Sequence, residues 1–182
     1  MNILKKQGVA WVITILVVLF SVGIGLAKAP DAPSAGNERP PVTSAQPDHA
    51  YDVQAVYDEA NVLSADTEAY LEERNNDLLS SHLTRVVFVT VNENSNDLGQ
   101  FALDYAEQIG LTSVDMIVVL DISGENYWLV QGADLVDQFT DDDCSNYAWD
   151  YMEADFAAGD YDGAVISLMD ALCRWYDTEF VG

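Results

Sequence analysis

The side chains best placed for chemistry are carboxylates and amides that follow two predicted strands. Residues 92–96 come after the apolar run 85–91, and Asp121 comes after the apolar run 116–120. If both runs are parallel strands, these groups lie at one edge of the sheet, where open α/β sheets bind ligands. Oxygen ligands of this kind suit Ca²⁺ or Mg²⁺. A polar hairpin turn over residues 121–126 explains the same residues without a metal, so both interpretations stay open.

Most familiar catalytic motifs are absent from the sequence. It has no Gly-x-Ser-x-Gly, no His-Glu-x-x-His, no phosphate-binding glycine loop and no Cys-x-x-Cys. Of its histidines, His49 and His82, only His82 falls within the predicted domain, which argues against a histidine triad or a zinc site. We interpret His82 as an exposed residue at the end of the first helix, where its charge suits the helix dipole.

The chain is strongly acidic. Its 31 Asp and Glu residues outnumber 7 Lys and Arg residues and give a formal net charge of −24. After residue 50 the only basic residues are Arg74, Arg85 and Arg174. This balance excludes nucleic acid as a partner and disfavours an anionic lipid surface, because their phosphates would be repelled. Divalent cations, basic partners or solubility alone remain as explanations of the charge.

An uncharged apolar segment, residues 8–26, follows Lys5 and Lys6 near the N-terminus. As a helix it is about 28 Å long, which matches a bilayer core. We therefore predict one transmembrane helix within an anchor or signal sequence over residues 1–29. Pro30, directly after a small-residue cleavage pattern, favours a retained anchor. The protein is then a single-pass cell-membrane protein with a cytoplasmic N-terminus and an extracytoplasmic domain, or is secreted if the segment is cleaved.

The rest of the chain divides into a linker and one domain. All five prolines lie between Pro30 and Pro47, which predicts a Pro-rich linker over residues 30–50 and an α/β domain over residues 51–182. In the domain we predict a helix capped by Ser64, a buried strand 85–91, a helix 98–109, a buried strand 116–120 and an antiparallel partner 127–131. Strand–helix–strand followed by a hairpin predicts a small mixed sheet with helices on its faces.

Two helices are predicted to finish the chain as an antiparallel hairpin. The first begins with a capping box at Thr140 and Asp143 and carries an apolar stripe over residues 144–156. The second carries a stripe over residues 165–176, and the two are joined near Gly159.

The hairpin would bring the two cysteines of the chain, Cys144 and Cys173, to nearly the same height. Because an exported domain meets oxidising conditions, we predict a Cys144–Cys173 disulfide. Such a bond would stabilise the domain by about 3–4 kcal/mol. Two buried free thiols are the alternative, since cysteine is a common core residue.

Several short motifs resemble, in order, those of the TPM domain family over about residues 57–176. They are the stretch 57–64 before the first helix, the strand 86–91, Tyr105-Ala106, the stretch 115–120, and Phe156 with residues 159–161 and Gly163. The resemblance implies an exported α/β/α sandwich on a membrane anchor. Some members of that family are credited with acid phosphatase activity, some bind divalent cations, and others are non-catalytic assembly or repair factors of membrane complexes. The resemblance implies one of these functions for this chain. Asp58 and Asp115 align with the family's acidic positions.

Two functions follow as hypotheses. The first is a binding or assembly module for exported or membrane proteins, with or without a bound Ca²⁺ or Mg²⁺; the anchor, the linker and the missing catalytic motifs favour it. The second is a metal-assisted phosphatase in which Asp58, Asp115 and Asp121 are metal ligands or acid–base groups. The acidic field opposes the phosphatase, because a phosphate ester is itself an anion. The sequence therefore favours the module.

Overall fold

The computed structural model describes residues 53–93 and 97–181, which form four strands and five helices in an α/β fold. The predicted anchor, residues 8–26, and the predicted linker, residues 30–50, lie outside the described residues. Among the helices that are described, none combines the length and the apolar character needed to cross a bilayer.

The elements alternate between strand and helix until the hairpin. They are β1 (Val56–Asp58), α1 (Ala65–His82), β2 (Val86–Val91), α2 (Leu98–Ile109), β3 (Met116–Asp121), β4 (Asn126–Gln131), α3 (Asp141–Tyr151), α4 (Glu153–Ala158) and α5 (Tyr161–Thr178). The small mixed sheet predicted from the sequence is confirmed. Its strand order is β1-β2-β3-β4, with the first three strands parallel and β4 antiparallel to β3.

Helices cover both faces of this sheet. Side chains of a strand alternate between its two faces, so continuous apolar runs such as β2 and β3 need an apolar layer on each side. Val86, Phe88 and Met116 point to one face and form a core with α1, α3, α4 and α5. Val87 and Val119 point to the other face, where Leu98 and Ala102 of α2 complete a second core.

The predicted helix caps are present. The Ser64 hydroxyl accepts a hydrogen bond from the Thr67 backbone N–H at 3.3 Å. Thr140 and Asp143 bond reciprocally: the Thr140 hydroxyl accepts from the Asp143 N–H at 3.2 Å, and the Asp143 carboxylate accepts from the Thr140 N–H at 2.8 Å. Both arrangements satisfy backbone donors that the first helical turn leaves without partners.

The first helix of the C-terminal hairpin is not continuous, contrary to the prediction. It breaks at the buried residue Met152, which has φ −123° and ψ −38°, and continues as α4. The buried residues Cys144, Ala148, Met152 and Phe156 are spaced by four. On a straight helix each of these side chains would point about 40° further around the helix axis than the one before it. The break at Met152 keeps Met152 and Phe156 against the core.

Strand β1 was not predicted from the sequence. It has only three residues and lies at the edge of the sheet, where Val56 pairs with Phe88 and Asp58 pairs with Thr90. A strand this short has too few residues for a two-residue period to stand out from its surroundings. Its pairing with β2 depends on a chain segment about thirty residues away in sequence.

Candidate functional site

Asp58, the first predicted metal ligand, ends β1 and holds the turn that follows. Its two carboxylate oxygens accept hydrogen bonds from the backbone N–H groups of Val62 at 3.1 Å and Leu63 at 2.9 Å. The hydroxyl of Thr90 on β2 also donates to this carboxylate. These bonds fix the segment between β1 and α1, so the side chain has a structural role in the turn.

Asp115, the second predicted ligand, lies directly before β3 and is only 3% exposed. One carboxylate oxygen accepts from the Arg85 backbone N–H at 2.8 Å. The other accepts from both the backbone N–H and the hydroxyl of Thr112, each at 2.7 Å. The carboxylate therefore joins the beginnings of β2 and β3 by charge-assisted hydrogen bonds.

Asp121, the third predicted ligand, is the last residue of β3 and is 1% exposed. Its carboxylate accepts from the Gly124 backbone N–H at 3.1 Å and lies 3.5 Å from the Ser123 hydroxyl. A Cβ on Gly124 would lie 2.7 Å from that carboxylate, so the glycine permits the close approach. Here the hairpin-turn interpretation of residues 121–126 describes the geometry.

The structure does not bring these three carboxylates together. Asp115 precedes β3 and Asp121 ends it, so the two lie at opposite ends of the sheet, about 20 Å apart along the strand. Asp58 is in register with Thr90 and Leu120, so it points to the opposite face from Asp121. Across residues 53–93 and 97–181, no three His, Cys, Asp or Glu side chains are grouped so that they could hold a metal ion.

A hollow of about 540 Å³ lies between β1 and α1 in the described surface. It is lined by Gln54, Val56, Tyr57, Asp58, Ala65, Glu68, Ala69 and Glu72. Three of these residues are acidic and none is basic. Its charge would repel a phosphate ester rather than bind one.

The two cysteines are free thiols in the structure, and each has a different polar neighbour. Cys144 donates to the side-chain oxygen of Gln131 on β4 at 3.0 Å. Cys173 lies beside Arg74 of α1. Cys144 and Cys173 are not bonded to each other, so the predicted disulfide is not present in the structure. Burial raises the pKa of Cys144 to about 12 and that of Cys173 to about 11.

We expect both thiols to be unreactive in the folded chain and free after unfolding. Only the thiolate reacts with an alkylating reagent, and the raised pKa values leave little thiolate at pH 8. Iodoacetamide should label Cys144 and Cys173 slowly in the native protein and completely in denaturant. Intact-mass spectrometry of the unlabelled chain with and without reductant is the matched control. A gain of two hydrogens on reduction would instead establish the disulfide predicted from the sequence.

His82 is less exposed than predicted. Its side chain is 20% exposed and its Nε2 lies 3.0 Å from an Asp177 carboxylate oxygen. The ring packs against Tyr176 and Phe180, with centroids 6.0 and 6.1 Å away. The aromatic residues of α5 and the following segment thus hold the histidine at the end of α1.

A surface feature that the sequence analysis missed is the exposed indole of Trp149 on α3. Its side chain is 66% exposed, and it is the most exposed aromatic residue among those described. The sequence does contain a sign of this exposure, because Trp149 lies outside the apolar helical stripe to which Ala148 and Met152 belong. Between residues 126 and 158, which include β4 and α3, the sequence has no Lys, Arg or His.

Comparison with known proteins agrees with this fold. The family model of the TPM domain matches residues 56–174. One similar structure is the N-terminal domain of a protein from P. gingivalis, solved by solution NMR, which is 25% identical in sequence and has a TM-score of 0.63. The match covers 68% of this chain and 82% of that chain. The N-terminal domain of the cg2496 protein from Corynebacterium glutamicum is 16% identical and has a TM-score of 0.56. That match covers 76% of this chain and 88% of that chain, and at this identity it is evidence for a shared fold only. No curated protein matches the chain.

The resemblance drawn from the short motifs is therefore confirmed over most of the domain. The matched region begins at β1 and ends within α5, so it includes every described strand. Since the family model covers more than half of the chain, this protein belongs to the TPM domain family.

Proposed function

We propose that this TPM domain is the extracytoplasmic part of a membrane-tethered binding module that recognises another exported or membrane protein. The exposed indole of Trp149 carries the proposal. Tryptophan is mostly buried in folded domains, and it is enriched among the few residues that dominate protein–protein affinity. An indole that the domain leaves 66% exposed is available for a partner to cover.

The hydrogen bonds of Asp58 and Asp115 support the same function. Asp58 and Asp115 accept backbone hydrogen bonds that hold the ends of strands. A metal-assisted phosphatase would need them to converge with Asp121 on one ion, and they point to different ends and faces of the sheet. A binding module needs no such convergence and no bound cation.

The proposal is tested by capturing partners of the full chain from intact membranes by crosslinking, with Trp149→Ala as the variant. Removing an interface tryptophan costs about 2 kcal/mol or more, which lowers affinity about 30-fold. We expect the variant to lose a specific partner that the wild type recovers. Leu103→Ala is the matched control, because Leu103 is also exposed, at 51%, but lies on α2 on the other face of the sheet.

The captured partner is then purified and its Kd for the full chain is measured for the wild type and both variants. A rise in Kd with Trp149→Ala and no change with Leu103→Ala supports the module. Equal recovery of every partner by Trp149→Ala and the wild type would overturn it.

A further inference from the structure

Strand β4 is one of the two edge strands of the sheet, and the direction of its backbone groups follows from the pairing of β3. The Met116 N–H donates to the Arg85 C=O at 2.8 Å, so the backbone groups of Met116 face β2. Because these directions alternate along a strand, the backbone groups of Ile117 and Val119 face β4. Ile117 pairs with Val130 and Val119 pairs with Trp128.

The alternate residues of β4 therefore direct their backbone groups away from the sheet. These residues are Tyr127, Leu129 and Gln131. The Tyr127 N–H donates to the Asn126 side-chain oxygen at 2.9 Å, which covers the first of these outward donors. Beyond β4 the described part of the chain places no further strand, so the outward backbone groups of Leu129 and Gln131 have no strand partner there, and we call this side of β4 the open edge. Such an edge is a template for an added strand.

Trp149 lies on the side of α3 nearest to this open edge. On that face of the sheet α5 packs between α1 and α3, and α3 packs on β4. Tyr151 marks the flank of α3 that meets α5, because the Arg174 guanidinium lies 5.7 Å from the centre of its ring. Trp149 is two residues earlier, which turns it by about 200° around the helix axis and away from α5. The exposed indole thus flanks the edge of β4.

The charge beside this edge is entirely acidic. Asp141 accepts a hydrogen bond from the Gln131 side chain at 2.8 Å, and Glu153 accepts one from the Tyr127 hydroxyl at 2.6 Å. Asp142 lies two helical turns before Trp149 on the same side of α3 and is exposed. A cationic side chain suits both parts of this surface, since carboxylates attract it and an indole face binds it.

We propose that the outer edge of β4 binds an extended segment of the partner protein as an added strand, with Lys or Arg at alternate positions directed toward Trp149 and the acids of α3. This inference rests on the proposed function and names the surface and the chemistry of the partner. The Leu129 and Gln131 backbone groups supply the hydrogen bonds of strand addition. Alternation matches the two-residue period of a strand, so one face of the added segment carries all the cations.

Amide-resolved hydrogen exchange of the full chain in nanodiscs tests the proposal. In the free protein we expect the outward amides of Leu129 and Gln131 to exchange at least 10-fold faster than the inward amides of Trp128 and Val130. A synthetic peptide that alternates lysine and valine should then slow Leu129 and Gln131 at least 10-fold and leave the inward pair unchanged. The same peptide with glutamate in place of lysine should have no effect, and added salt should weaken the lysine peptide.

Each other outcome overturns the inference. Slow exchange of Leu129 and Gln131 in the free chain would mean that the edge is already covered. Unchanged exchange with the lysine peptide would exclude strand addition, and equal protection by the glutamate peptide would exclude the cationic partner. If only these peptide experiments fail, the proposed binding function still stands on a partner captured through Trp149. If no partner depends on Trp149, the proposed binding function fails as well. Trp149→Ala should weaken the peptide effect, and Leu103→Ala should not.

Discussion

Asp115→Asn will lower the free energy of unfolding of the domain by about 3 kcal/mol, although the replacement has nearly the same shape. Both carboxylate oxygens of Asp115 accept hydrogen bonds, one from the Arg85 N–H and the other from Thr112. In asparagine one of these acceptors becomes an NH₂ donor, so at least one buried donor loses its acceptor. Urea denaturation of the full chain, followed by circular dichroism, measures the loss. The expected fall in Tm is about 6–12 °C.

Asp150→Asn is the matched control for this prediction. Asp150 is exposed on α3, so its replacement should change the free energy of unfolding by less than about 0.5 kcal/mol. Calcium and magnesium distinguish the structural role from the metal-ligand role predicted from the sequence. If Asp115 held a cation, adding Ca²⁺ or Mg²⁺ would raise the Tm of the wild type and not that of Asp115→Asn. We expect no such difference, and a variant as stable as the wild type would contradict the structural role.

Gly132→Ala will also destabilise the domain by about 3 kcal/mol, because there is no room for one methyl group. A Cβ at this position would lie 2.3 Å from the Ser113 carbonyl oxygen and 2.9 Å from the Asp115 carbonyl oxygen. Both are backbone atoms and cannot rotate away, so the chain after β4 must shift. That shift strains the bond from the Asp134 N–H to the Ser113 C=O, which is 2.9 Å long.

Gly110→Ala is the comparison variant, since it separates backbone strain from crowding. Gly110 ends α2 with φ +77° and has open space around it, so alanine there costs only the left-handed conformation, roughly 1–2 kcal/mol. The same denaturation experiment measures both variants. Equal losses for Gly110→Ala and Gly132→Ala would show that the close approach to Ser113 does not limit the residue at position 132.

The acidic residues Asp58 and Asp115 have partners that the sequence did not indicate. The sequence places Asp58 and Asp115 at positions that resemble the acidic positions of the TPM family, which suggested metal ligands. In the structure both carboxylates hold backbone N–H groups at opposite ends of the sheet. The structure thus gives both carboxylates backbone partners, while metal binding by Asp58 or Asp115 stays a prediction from the sequence.

Much of the fold could be predicted because its causes are local. The Ser64 cap, the capping box of Thr140 and Asp143, and the Gly110 end of α2 each depend on a few neighbouring residues. The apolar runs of β2 and β3 signal burial on both faces without any knowledge of what covers them. Strand β1 and the break at Met152 were missed, because each depends on packing against distant segments.

By itself the sequence determined the acidic charge, the order of the elements from α1 to β4 and the family, since composition, periodicity and short motifs follow directly from residue order. Only the tertiary structure decided where side chains converge. It separated Asp58, Asp115 and Asp121, directed Cys144 and Cys173 to different neighbours, and left Trp149 beside an open strand edge. The physical reason is that strand register and helix packing set these directions, and both are non-local: a shift of one residue in register would turn every strand side chain to the opposite face.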